Sequence, residues 1–149
     1  MGIADFPVRE PINVYNFTVE IGSIIQGNFR EASGLDRSRS VIEYREGHER
    51  QPYVRKLPGF ESTSNVSLKR GMVDGKELWD WFHKNPKDAD FRQDVDIVLY
   101  DDAFNEVVRW TLKDAFPTKW TGPSLNASGT EMALEELELA HSGLSQRTA

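Results

Sequence analysis

The chain carries three histidines, His48, His83 and His141, and four closely spaced carboxylates, Asp88, Asp90, Asp94 and Asp96. Such groups hold a metal when several converge. The histidines show no ligand-like spacing. The aspartates resemble a loose calcium loop, but they lack the glycine turn and the closing bidentate glutamate of an EF-hand. A solvated acidic linker is the simpler reading. Asp101, Asp102 and Glu106 could act as acid/base carboxylates in a hydrolase, although polar residues at a hairpin turn are the default. Trp79, Trp81, Trp110 and Trp120 could stack sugars or bases. Trp81 lies on an apolar helical stripe and Trp110 beside Val108 and Leu112, which points instead to core or interface. No nucleophile elbow, phosphate-binding glycine loop or zinc-protease motif occurs. The chain has no cysteine, hence no disulfide, thiolate site or thiol nucleophile. Neither a catalytic centre nor a cofactor nor a metal is expected.

The cations are more informative. Arg37, Arg39, Arg45, Arg50, Arg55, Lys56, Lys69 and Arg70 fall in one third of the chain, interleaved with Glu43, Glu46, Glu49 and Glu61. The mixture argues against a phosphate-binding stripe and suits the reading of a charged protein surface; a merely solvated face is the plain alternative. A formal charge of -6 and a pI near 5.1 disfavour general binding to nucleic acid or anionic lipid. No stretch approaches the roughly 18 apolar residues of a membrane span. The N-terminus lacks the basic start and apolar run of a signal peptide, so synthesis in the cytoplasm is expected.

The 149 residues read as one domain. Residues 1–12, with Pro7 and Pro11, read as an extended arm. Asn13 to Ile21 alternates, with Tyr15, Phe17, Val19 and Ile21 on one face, which predicts a half-buried strand. After a turn at Gly22-Ser23, Ile24 to Glu31 reads as its hairpin partner. Ser38 to Tyr44 is a weaker strand. It enters a charged connection over 45–61, longer than ordinary loops. That connection carries the apolar anchors Tyr53, Val54, Leu57 and Phe60, so it predicts an arm projecting to a contact outside the subunit. Asn65 to Arg70 alternates again. A helix is predicted from Asp74 to Lys84, with Asp74 and Glu77 in a capping-box-like pattern. Its stripe of Leu78, Trp81 and Phe82 should pack on a sheet, and Asn85-Pro86 should stop it. Val95 to Tyr100 and Glu106 to Lys113 predict a second hairpin, followed by breaks at Pro117 and Gly122-Pro123. Thr130 to Ala140 reads either way: helix by propensity, or a strand with one bulge bringing Ala133, Leu137 and Leu139 near one face. The sum is a mainly β chain, an antiparallel β-sandwich or barrel with one short flanking α-helix.

Five blocks, Ile42–Gly47, Arg55–Gly59, Val66–Gly71, Lys119–Pro123 and Leu137–Leu144, resemble the signature blocks of the tail tube protein family. Phe17–Ile21 and Phe29–Leu35 resemble that family's opening hairpin, so the likeness runs from about Val14 to Leu144. The family forms the inner tube of contractile phage tails and of phage-tail-like extracellular contractile injection systems. The resemblance implies six subunits per ring, and rings stacked into a hollow tube inside a contractile sheath. It makes Thr130–Ala140 a strand. It implies as partners other copies of the chain, the sheath protein, the baseplate and spike with a tube-initiator protein, and a terminator cap. The particle would be a virion or would be released from the cell. Arg45, Glu46, Arg50, Arg55, Lys56, Leu57 and Phe60 are then candidates for contacts within and between rings. An initiator of the same fold, joining tube to spike, is the alternative role; compact length and the arm favour the bulk tube subunit. Two rivals from other classes are a small carbohydrate- or peptide-binding β-sandwich using the tryptophans, and a hydrolase using Asp101, Asp102 or Glu106.

Overall fold

The computed structural model describes residues 13, 16–22, 25–27, 29–45, 47, 54–72 and 75–148. The N-terminal arm over 1–12, Glu46, His48, Arg50, Tyr53 and Asp74 lie outside the described residues.

Eight strands form one antiparallel sheet. In chain order they are β1 (Phe17–Ile21), β2 (Ile25–Gly27), β3 (Glu31–Ser33), β6 (Val66–Gly71), β7 (Gln93–Tyr100), β8 (Glu106–Thr121), β9 (Leu134–Ala140) and β10 (Gly143–Thr148). β4 (Arg37–Tyr44) and β5 (Arg55–Thr63) pair only with each other, and α1 (Glu77–Phe82) is the one helix among the described residues. The spatial order is β2-β1-β7-β8-β9-β6-β3, with β10 alongside β8.

The long β8 lets one sheet close over one core. Its first part pairs with β7 and β10, its last part with β9. Just before the changeover, in the bulge between the pairs Val95–Leu112 and Gln93–Ala115, Asp114 takes a positive φ of 49°, and its N–H donates to Asp94 Oδ1 at 3.0 Å. The chain bends there, so Val19, Ile21, Val95, Ile97 and Leu112 of one half meet Val66, Leu68, Leu137 and Leu139 of the other. In β1 the expected alternation is present: Val19 and Ile21 are wholly buried, Thr18 and Glu20 half-buried.

Several expectations need correcting. Ile24–Glu31 is not one hairpin partner. Pairing with β1 stops at Gly27, and Glu31–Ser33 pairs with β6 in the other half of the sheet. The buried Phe29 lies between, so the core draws the chain across. Gly34, at φ +92°, then turns the chain into β4; a Cβ there would lie 2.2 Å from the Asn65 carbonyl oxygen, so only glycine fits. β8 continues through Pro117 to Thr121 instead of ending near Lys113. Pro117 sits at a register shift, where a missing N–H is tolerated. β9 is a strand, but its inward residues are Glu135, Leu137 and Leu139; Ala133 is exposed and precedes the strand.

Glu135 is the one buried charged residue among those described. Its carboxylate accepts from Arg70 Nε on β6 and from Trp120 Nε1 on β8, the latter at 3.2 Å. Arg70 also donates to Glu77 at 3.1 Å. That contact lies at the helix start. Glu77 is the first helical residue, Lys76 takes the cap position without a side-chain bond, and the Glu77 carboxylate is held by its own backbone N–H and by Arg70. Leu78 and Trp81 are buried and Phe82 half-buried, and the Trp81 indole N–H donates to the Phe91 carbonyl at 2.7 Å.

Candidate inter-subunit surface

Residues 37–45 and 54–63 build a two-stranded ribbon without a core. In β4 every side chain is exposed, and in β5 all but Gly59 and Thr63 are. Cross-strand partners share a face, so the register groups the side chains. Ile42 opposes Leu57 and Tyr44 opposes Arg55 on one face; Val41 opposes Pro58 and Glu43 opposes Lys56 on the other. Apolar surface is therefore offered on both faces: Val41 is 60%, Ile42 50% and Leu57 44% exposed. A lone two-stranded ribbon is at best marginally stable in water.

Two residues of β5, Gly59 and Phe60, stand opposite the single Ser40 between the pairs Arg39–Glu61 and Val41–Pro58. This is a bulge, a device that re-aims a side chain. Gly59 is required by it, because a Cβ would meet Ser40 Oγ at 2.2 Å and Ser40 O at 3.0 Å. The outcome is Phe60, 90% exposed, the most exposed large apolar side chain among the described residues. At the ribbon's base Glu61 accepts from both Arg37 and Arg39, and Arg37 also donates to the Leu144 carbonyl at 3.3 Å. The Arg37 hydrogen bond, followed by that of Arg39, holds the Glu61 carboxyl below its ordinary value.

Of the sequence candidates, Arg45, Arg55, Lys56, Leu57 and Phe60 lie on this ribbon, while Glu46 and Arg50 are outside the described residues. The segment 55–61 is strand, not connection, so the expected arm is shorter at its open end and rooted further back, at Arg37 and Thr63. Val41 and Ile42, exposed on the same ribbon, are not among the sequence candidates. The adjacent apolar pair Val41-Ile42 was the available signal, since a strand burying one face would alternate.

The residues weighed for chemistry are engaged structurally. Asp101 Oδ1 accepts the N–H groups of Ala103 and Asn105 at 3.0 and 2.9 Å, the pattern of an Asx turn. Glu106, Asp96 and Glu20 surround the Arg109 guanidinium at 2.6, 2.6 and 3.2 Å. Hydrogen bonding to Glu106 first, then to Asp96 and Glu20, raises the Arg109 pKa against the cost of burial. Asp90 pairs with Lys84, and Asp94 accepts from the Asp114 N–H and Lys113. Among the described residues no group of three or more His, Asp or Glu side chains is placed to hold a metal ion.

The tryptophans form no common platform. Trp81 is core, and Trp79 meets Trp120 edge-on with centroids 4.8 Å apart. The Trp110 N–H donates to Gln146 at 2.9 Å. No described helix is long and apolar enough to cross a membrane.

The family profile described as T4-like virus tail tube protein gp19 matches residues 13–145. A chain in the anti-feeding prophage cap (AFP tube terminating cap) superposes with TM-score 0.87 and 33% identity, covering 100% of both chains. A chain in the PVC sheath-tube complex of an extracellular contractile injection system, in its extended state, gives TM-score 0.84 and 33% identity over 95% of each chain. Hcp1 from Flavobacterium johnsoniae, at 11% identity and TM-score 0.57 over 91% of this chain and 97% of that one, shares the fold. Among curated proteins no sequence matches. With nearly the whole chain matched, from the first β-strand to the last, this protein belongs to the T4-like virus tail tube protein gp19 family.

Proposed function

We propose that the chain is the repeating, non-catalytic subunit of the inner tube of a contractile injection particle. Rings close by lateral contacts and stack through the β4–β5 ribbon. The ribbon carries this reading: it exposes apolar side chains on both faces and has no core of its own to pack against. The sheet ends in β2 and β3, edges of three residues each, and in the six-residue β10, which pairs only with β8. A ring can hand such edges to its neighbours, and head-to-tail contacts close when the rotation divides a full turn. The resemblance implies six subunits per ring, a sheath outside, a baseplate and spike with an initiator at one end and a terminator at the other. Assembly would occur in the cytoplasm before release of the particle.

Likeness favours the tube body over the initiator. Identity is 33% to chains in the sheath-tube and cap structures, and 24% to a chain in the anti-feeding prophage baseplate structure. The cap structure matches over the whole of both chains, which supports a second reading as a tube-end component. Negative-stain microscopy of the purified protein should show rings and tubes, and antibody should label tubes freed of their sheath along their whole length. A monomer at every concentration would contradict the tube reading; label confined to one end would establish the second.

A further inference from the structure

Phe60 faces solvent on its own subunit, and the same fold carries an apolar opening of aromatic size. An apolar cleft of about 140 Å³ is lined by Phe17, Ala32, Leu35, Ile97, Leu99 and Trp110. Phe17, Ala32, Leu35 and Trp110 are only partly buried, so the cleft opens to solvent. Apolar cavities of about 150 Å³ admit a benzene ring. We propose that this cleft is the socket for Phe60 of a second copy of the chain. The inference rests on the tube reading and names the contact that would join one subunit to the next.

Size is one argument and charge is another. The described ribbon carries Arg37, Arg39, Arg45, Arg55 and Lys56 against Glu43 and Glu61, on a chain whose formal charge is -6. The ribbon is thus a basic projection from an acidic body. Opposite potentials would draw the ribbon of one copy to the body of the next. Because knob and socket are different surfaces of one chain, the contact is head-to-tail and propagates. The bulge at Gly59 then has a purpose, aiming Phe60 away from its own sheet.

The chain has no cysteine, so introduced thiols report only themselves. Ser40→Cys places one opposite Phe60, and Ser145→Cys places one in the depression that shares Leu35 and Trp110 with the cleft. The two variants, each keeping knob and socket, are mixed, assembled and treated with a short bis-maleimide. A two-chain adduct should form in the mixture and in neither variant alone. Adding Phe60→Ala to the first or Ala32→Phe to the second should reduce it at least tenfold, whereas Phe104→Ala should leave it unchanged. If Ala32→Phe unfolds, Ala32→Leu supplies the smaller filler. Tubes that form without the adduct, or with an adduct indifferent to Phe60, would overturn the socket alone. Absence of any assembly would overturn the tube reading with it.

Discussion

Replacing Glu135 by leucine should destabilise the subunit by about 3–4 kcal/mol. The estimate follows from the surroundings of the carboxylate. Removing one partner of a buried ion pair costs about 3–5 kcal/mol, because the remaining charge is left without compensation. Here the remaining charge is Arg70, whose side chain is 11% exposed. It keeps Glu77 at 3.1 Å, which places the ion-pair loss near the lower end of that range. Trp120 Nε1 also loses its acceptor, adding up to about 1 kcal/mol for a partly buried donor left without a partner. Leucine, similar in size and apolar, would itself be welcome beside Leu137 and Leu139. The double variant Arg70→Met, Glu135→Leu should therefore recover to within about 1 kcal/mol of the parent, since replacing both charges removes their desolvation cost as well. Urea unfolding followed by far-UV circular dichroism, below the concentration of assembly, gives each value from the midpoint and slope. A single variant as stable as the parent, or a double variant worse than the single, would refute this account of the core.

Leu57→Ser with Phe60→Ser should leave subunit stability nearly unchanged and weaken association about 10²–10⁴-fold, from about 1.5–3 kcal/mol per apolar side chain no longer buried; sedimentation against concentration measures it, and unfolding of the variant would show that the ribbon belongs to the subunit core. Trp81→Ala should cost about 3–5 kcal/mol as a buried large aromatic, and a urea midpoint near the parent's would contradict its place under the helix. Acid should loosen the fold and the ribbon base together. Hydrogen bonds, to its own backbone and to Arg70 for Glu77 and to the Asp114 N–H for Asp94, hold these carboxyls below their ordinary 4.5 and 3.8, as Arg37 holds Glu61. Their stabilisation is complete above those values and is lost as pH falls through the lower folded ones, so a melting temperature that does not fall below about pH 4 would count against them.

What was legible in the sequence was what neighbouring residues decide. Val19 and Ile21 announce β1 because a strand with one buried face must alternate. Leu78 and Trp81 announce a helix by their spacing. The failures are places where a distant partner overrides a local signal. Pro117 reads as a breaker until the β9 register supplies an irregularity to hold it. Nothing local marks Glu135 as buried, because its partner Arg70 is 65 positions away. The same arginine pairs with Glu77 at the helix start. In the ribbon, Pro58 and Gly59 look like loop residues, yet they sit at and beside a bulge. β10 carries no strand pattern of its own: Leu144 is its one large apolar residue, and its strand character comes from pairing with β8.

The central claim is that the β4–β5 ribbon of each subunit is covered by another copy of the same chain. A cryo-electron microscopy reconstruction of tubes assembled from this protein tests it most directly. The account predicts stacked rings in which density for Val41, Ile42, Leu57 and Phe60 is enclosed by the adjacent ring. Tubes whose ribbons lie free in the lumen or point outward with those side chains uncovered would contradict it.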